Sequence, residues 1–145
     1  MEPREPRPTP PINSIESRQA IEACAEEAYR EVARVYPEHY GNNPDEIFYQ
    51  TACQQFSEVM REKLLARGIR NPRYRKTDVT SLSPRSKPHV TLDTREYIID
   101  GTWQQFLKPE QLNKDKKCLI LRRIAVVEDL QKAGVPQKLW FIYEA

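Results

Sequence analysis

Residues 89–100 read HVTLDTREYIID, two short runs of β-branched and apolar residues separated by a polar, charged turn. Strands joined this tightly cannot lie parallel, because a parallel crossover needs roughly a dozen residues or more. The pattern therefore specifies an antiparallel hairpin, with strands at 89–92 and 97–100 and a turn at 93–96. With the turn centred between residues 94 and 95, His89 and Asp100 become direct cross-strand partners. An imidazole and a carboxylate then stand side by side at the open end of the hairpin.

The chain before the hairpin is helical in pattern. Ile21, Ala25, Ala28, Val32 and Val35 recur at helical spacing behind a capping box formed by Asn13 and Glu16, which predicts a helix over 14–36 ended by Pro37. A second pattern lies within 44–68. Thr51 with Gln54 forms another capping box, so that Thr51 is the N-cap of a helix running to Arg67. Phe56, Val59, Met60 and Leu64 form its buried stripe, and Gly68 stands where a left-handed C-terminal cap belongs. Beyond this helix the texture predicts strands at 74–82, 117–121 and 138–143, a turn-rich loop at 83–88 and a short helix at 126–133 closed by Gly134. Helices first and a small antiparallel sheet after them give the α+β class.

The chain of 145 residues is long enough for one core, and 39% hydrophobic against 30% charged residues describes a soluble globular domain. Its apolar runs, such as CLIL at 118–121, fall far short of the roughly 18 residues of a membrane span. The opening MEPREPRPTPP carries charges and prolines where a secretory signal would be apolar, so residues 1–12 read as a disordered, proline-rich leader and Sec export is not expected. The three cysteines, Cys24, Cys53 and Cys118, are odd in number and lack CxxC spacing, which argues against a disulfide framework or a zinc site. Reduced thiols in a cytosolic setting remain, with no metal and no cofactor expected. Residues 70–87 hold six basic side chains, Arg70, Arg73, Arg75, Lys76, Arg85 and Lys87, against Asp78. Such a run is ordinarily a solvated loop, and it is also the face an acidic partner or a phosphate would meet. Aromatic residues are sparse there and no nucleic-acid motif is present, so nucleic acid is not an expected partner.

The position of Cys53 changes the argument. In the first turn of a helix, unpaired N–H groups and the positive end of the dipole favour thiolate over thiol, and the same N–H groups can hold an oxyanion. A thiol nucleophile needs an imidazole to share its proton, and the imidazole needs a carboxylate or amide to orient it. The chain has two histidines, His39 and His89, and only His89 has its carboxylate arranged by the hairpin. By contrast Cys24, beside Ile21 and Ala25, and Cys118, within an apolar run, read as buried structural thiols. Gly101 permits a tight turn after Asp100, and Trp103 and Phe106 pack the segment that follows, with Trp103 either supporting the site or touching substrate.

The segments TACQQFSEVMREKLLARGI, PHVTLD and YIIDGTWQQFL give the order of a Cys on a helix N-terminus, a His on a strand and an Asp closing the next strand. In this the chain resembles the papain-like and transglutaminase-like cysteine enzyme superfamily, and within it the bacterial papain-fold toxin domains that include protein-glutamine deamidases. The resemblance covers residues 49–107. It implies a papain-like catalytic domain over 13–145, N-terminal helices with a central Cys-bearing helix packed on a small antiparallel sheet. It further implies Cys53 as nucleophile, His89 as base and Asp100 as orienting acid. Gln50, three residues before Cys53, is the candidate for the upstream glutamine of the oxyanion hole. The expected partner is a protein substrate, with an immunity protein or chaperone beside it, in the cytoplasm or in the cytosol of a target cell reached by a non-Sec route. Cysteine protease and transglutaminase chemistry on the same fold, and a non-catalytic module using the basic face, are the alternatives.

Overall fold

The computed structural model describes residues 17–35, 53–84, 87–112 and 117–144. Its architecture is α+β. Helices α1 (Arg18–Val35) and α2 (Cys53–Ala66) precede a four-stranded antiparallel sheet of β1 (Arg73–Thr77), β2 (His89–Asp93), β3 (Tyr97–Asp100) and β4 (Leu119–Arg122), in that spatial order. A short helix α3 (Val126–Ala133) and a 3₁₀ helix (Gln137–Ile142) complete the described chain. No described helix is long and apolar enough to cross a membrane.

Each helix is as long as its apolar stripe. In α1, Ile21, Cys24, Ala25, Ala28, Tyr29 and Val32 are buried on one face. Asn13 and Glu16, the expected capping box, lie outside the described residues; the cap in view is Ser17, whose Oγ accepts the Ala20 N–H at 3.1 Å. Helix α2 buries Phe56, Ser57, Val59, Met60 and Leu64 and is stopped by Gly68, which takes a φ of 87° while the Ile69 N–H returns to the Leu64 carbonyl at 3.1 Å. Thr51, its expected N-cap, lies outside the described residues. Gly134 ends α3 in the same way, with a φ of 74°.

Strands β2, β3 and β4 are buried on both faces, while β1 is largely exposed. Leu92, Ile99 and Ile120 point into the core made with α1 and α2. Ile98, Leu119 and Leu121 point the other way, into a second core with Trp103, Leu130, Leu139, Ile142 and Tyr143. Helices on one side and the C-terminal segment on the other thus enclose the strands that carry His89 and Asp100.

Three expectations are corrected. The strand expected over 74–82 stops at Thr77, because Asp78 accepts the Thr80 N–H at 2.9 Å and Leu82 and Ser83 bond back to the Val79 carbonyl, turning the chain away from the sheet. The segment expected as a strand over 138–143 is the 3₁₀ helix: Leu139 and Ile142, three apart and both 0% exposed, share the inner face that a 3₁₀ turn makes. The hairpin register is shifted by two residues. Leu92 pairs with Ile99 and Asp93 with Ile98, so Asp100 lies opposite Thr91 and diagonal to His89. The cause is the turn, where the Thr94 N–H donates to the Tyr97 carbonyl at 2.8 Å and Thr94 Oγ1 accepts the Tyr97 N–H at 3.0 Å. A shift of two preserves parity, and His89 and Asp100 stay on one face.

Gly101 serves close approach rather than an unusual backbone angle. A Cβ there would lie 2.2 Å from Phe56 Cε2, so the Phe56 ring sits directly on the glycine that follows Asp100. Gly101→Ala is expected to lower the stability by about 1–3 kcal/mol through overpacking. Urea unfolding checks it; an unchanged midpoint would mean that Phe56 moves aside without cost.

Candidate active site

The site is assembled from four parts of the chain that meet at the His89 ring. Its Nε2 donates to Asp100 Oδ2 at 2.6 Å, with both side chains 1% exposed. Asp100 is itself fully supplied with donors. Tyr143 Oη–H donates to the same Oδ2 at 2.6 Å, and the Thr102 N–H donates to Oδ1 at 3.0 Å. A carboxylate buried to this degree is tolerable only with such partners. Burial first, and then the Asp100 charge, push the Tyr143 hydroxyl well above the ordinary range, so it remains a donor.

Cys53 enters from the first described turn of α2, near enough to His89 for its charge to act on the ring. With Nε2 committed to Asp100, Nδ1 is the atom left to face it. Phe106, on the 3₁₀ turn Trp103–Phe106, closes the ring from the side, edge-on with centroids 5.0 Å apart. Gln105, on the same turn, places Nε2 3.2 Å from Nδ1. Behind Asp100 the backbone is tied to α1, where Tyr29 Oη–H donates to the Gly101 carbonyl at 2.7 Å.

Burial alone would depress the His89 pKa, but the Asp100 charge and hydrogen bond, with the nearby Cys53, outweigh it and push the ring up to about 10. Desolvation raises the Cys24 and Cys118 thiols, which favours their protonated, less nucleophilic form. All three cysteines are free; Cys24 is buried as expected, whereas Cys118, expected to be buried, is only partly so, like Cys53.

Cys53, His89 and Asp100 are therefore brought together. Gln50 and His39 lie outside the described residues. Trp103, 3% exposed, packs in the second core. Sequence reasoning missed Tyr143, Thr102 and Gln105. A tyrosine in an apolar run signals that its hydroxyl needs a buried partner, but nothing local says which one. Among the described residues no group of three or more His, Cys, Asp or Glu side chains is arranged to hold a metal ion.

The raised His89 pKa has a signed consequence for stability. A histidine whose folded pKa exceeds its ordinary value of about 6.5 stabilises the fold fully below that value. The contribution is lost as pH climbs toward about 10. Chemical denaturation from pH 6 to 10 is expected to show a steeper loss of stability in wild type than in His89→Gln. The raised thiols of Cys24 and Cys118 cost stability at high pH in both proteins, so the difference isolates the ring. Parallel curves would contradict the ion pair. None of the protein-family models, curated proteins or solved structures compared with the chain matches it, so the reading of the site rests on its geometry.

Proposed function

We propose that the chain is a Cys-His-Asp acyl-transfer enzyme of the papain-like and transglutaminase-like kind, acting on a protein carboxamide or peptide carbonyl through a thioester. One observation carries this reading: a buried imidazole with one nitrogen bonded to a carboxylate at 2.6 Å, beside the partly exposed thiol of Cys53 on a helix's first described turn.

In this scheme the Cys53 sulfur attacks the carbonyl carbon. The oxyanion is held by the Cys53 N–H and a second donor, for which Gln50 is the candidate. The proton on His89 passes to the nitrogen as the C–N bond breaks, and ammonia or an amine leaves. Water then attacks the thioester, His89 takes its proton, and carboxylic acid and free thiol are released. Asp100 keeps the ring oriented and stabilises its charged form throughout, and Tyr143 and the Thr102 N–H keep Asp100 in place.

With water as acceptor and a glutamine side chain as substrate the reaction is deamidation, the outcome we favour on the resemblance to protein-glutamine deamidase toxin domains. A lysine acceptor would make it transglutamination, and attack on the main chain proteolysis. The module would act as a toxin or effector on a target protein in a cytosol. The alternative of a basic docking face draws on residues 70–87, but there Arg75 is spent internally, donating to the Tyr143 and Glu144 carbonyls at 3.4 and 3.1 Å.

The test is iodoacetamide labelling at pH 7 with peptide mapping. Cys53 should alkylate at least about tenfold faster than Cys24 and Cys118, as a thiolate poised beside an imidazole does relative to thiols kept protonated by desolvation. His89→Ala should erase the preference, and ammonia release from a glutamine-bearing protein should vanish in Cys53→Ala. Equal labelling of the three thiols would end the reading as chemistry.

A further inference from the structure

Nδ1 of His89 has one lone pair and two claimants. Nε2 is taken by Asp100, so Nδ1 is the nitrogen left for Cys53, yet Gln105 Nε2 stands 3.2 Å from that same atom. The Gln105 carboxamide is not free to turn, because its nitrogen also donates to the Thr102 carbonyl at 3.0 Å and lies 3.1 Å from Thr102 Oγ1. A main-chain carbonyl only accepts, so the end of Gln105 that faces His89 is the N–H donor.

We infer that Gln105 is a positioning residue: by offering its N–H to Nδ1 it opposes protonation of that nitrogen and selects the Nε2–H tautomer whenever the ring is neutral, and it must turn away before Nδ1 can take the Cys53 proton or hand one to a leaving nitrogen. The assignment rests on the acyl-transfer reading of the same site. Its physical basis is a conflict of donors. Protonated Nδ1–H would point at the Gln105 N–H, and turning Oε1 inward instead would give up the bond to the Thr102 carbonyl and set two acceptors against each other. The amide nitrogen also occupies a place at hydrogen-bond distance from Nδ1, where the departing amine must stand to be protonated. A substrate carboxamide therefore competes with the enzyme's own.

The ring is pulled in two directions. Asp100 on β3 draws it toward imidazolium and Gln105 toward the neutral form. The remaining titratable groups that face it are Cys53 on α2 and, through Asp100, Tyr143; Phe106 offers an uncharged ring edge. Gln105 thus acts as a brake on forming the thiolate–imidazolium pair, released when a ligand displaces it.

The experiment is a ¹⁵N-histidine NMR titration of the full chain, with the His89 signals identified by their loss in His89→Gln. Three variants accompany wild type: Gln105→Met, which keeps the length and removes the donor, Gln105→Ala in case methionine does not pack, and Gln105→Glu. Neutral His89 in wild type should show the Nε2–H tautomer. Removing the donor should raise the His89 midpoint by about half to one pH unit, the worth of one net hydrogen bond. Gln105→Glu, which offers an acceptor, should raise it further. An unchanged or lowered midpoint in the Met and Ala variants, or an Nδ1–H tautomer in wild type, overturns the assignment. Iodoacetamide labelling of the same samples separates the two ideas. A raised midpoint with no selective labelling of Cys53 upholds Gln105 and sinks the enzyme; selective labelling with an unmoved midpoint does the reverse.

Discussion

The bond from His89 to Asp100 is the interaction around which the rest of the molecule is arranged. An imidazole and a carboxylate at 1% exposure are costly to bury, and removing one partner of such a pair leaves an uncompensated charge worth about 3–5 kcal/mol of instability. The fold meets that cost with directed donors, the Tyr143 hydroxyl and the Thr102 N–H. Tyr143 arrives from 43 residues further along the chain, which is why the C-terminal 3₁₀ segment has to dock on the sheet. Closing the site and closing the second core are one event.

The helical side of the molecule holds the same point from behind. Tyr29 of α1 holds the Gly101 carbonyl and Phe56 of α2 lies on its α-carbon, so both helices grip the residue next to Asp100. Because Phe56 belongs to the helix whose first described turn carries Cys53, its packing also sets how far that thiol stands from the ring. The position of the nucleophile is thereby tied to core packing, and a shift in either helix would be felt at the sulfur.

Much of this was legible in the residues. The apolar periodicity of α1 and α2 and the glycines at 68 and 134 mark the helices because their signals are local. The hairpin was legible as a topology, and His89 and Asp100 as a pair on one face, since a two-residue error in register keeps parity. The register itself was not, because it depends on one side chain, Thr94, capping its own turn. The last segment misled for a related reason. Its run of apolar and aromatic residues fits a strand, but burial every third residue against α3 and the sheet decided for 3₁₀ geometry. Tyr143 and Gln105 could not be assigned, because their partners are chosen by tertiary contact and short amide rotation, neither of which leaves a spacing to read.

The most direct measurement of the central claim is the proton spectrum of the His89 Nε2–H. A short, buried N–H to carboxylate bond is shielded from exchange and its proton is moved well downfield of the amides. A ¹⁵N-coupled signal of that kind should be present in wild type and in Cys53→Ala, move in Tyr143→Phe and vanish in Asp100→Asn. If wild type at low temperature shows no such proton, or if Asp100→Asn leaves it untouched, the pair that organises the site does not exist and the catalytic account falls with it.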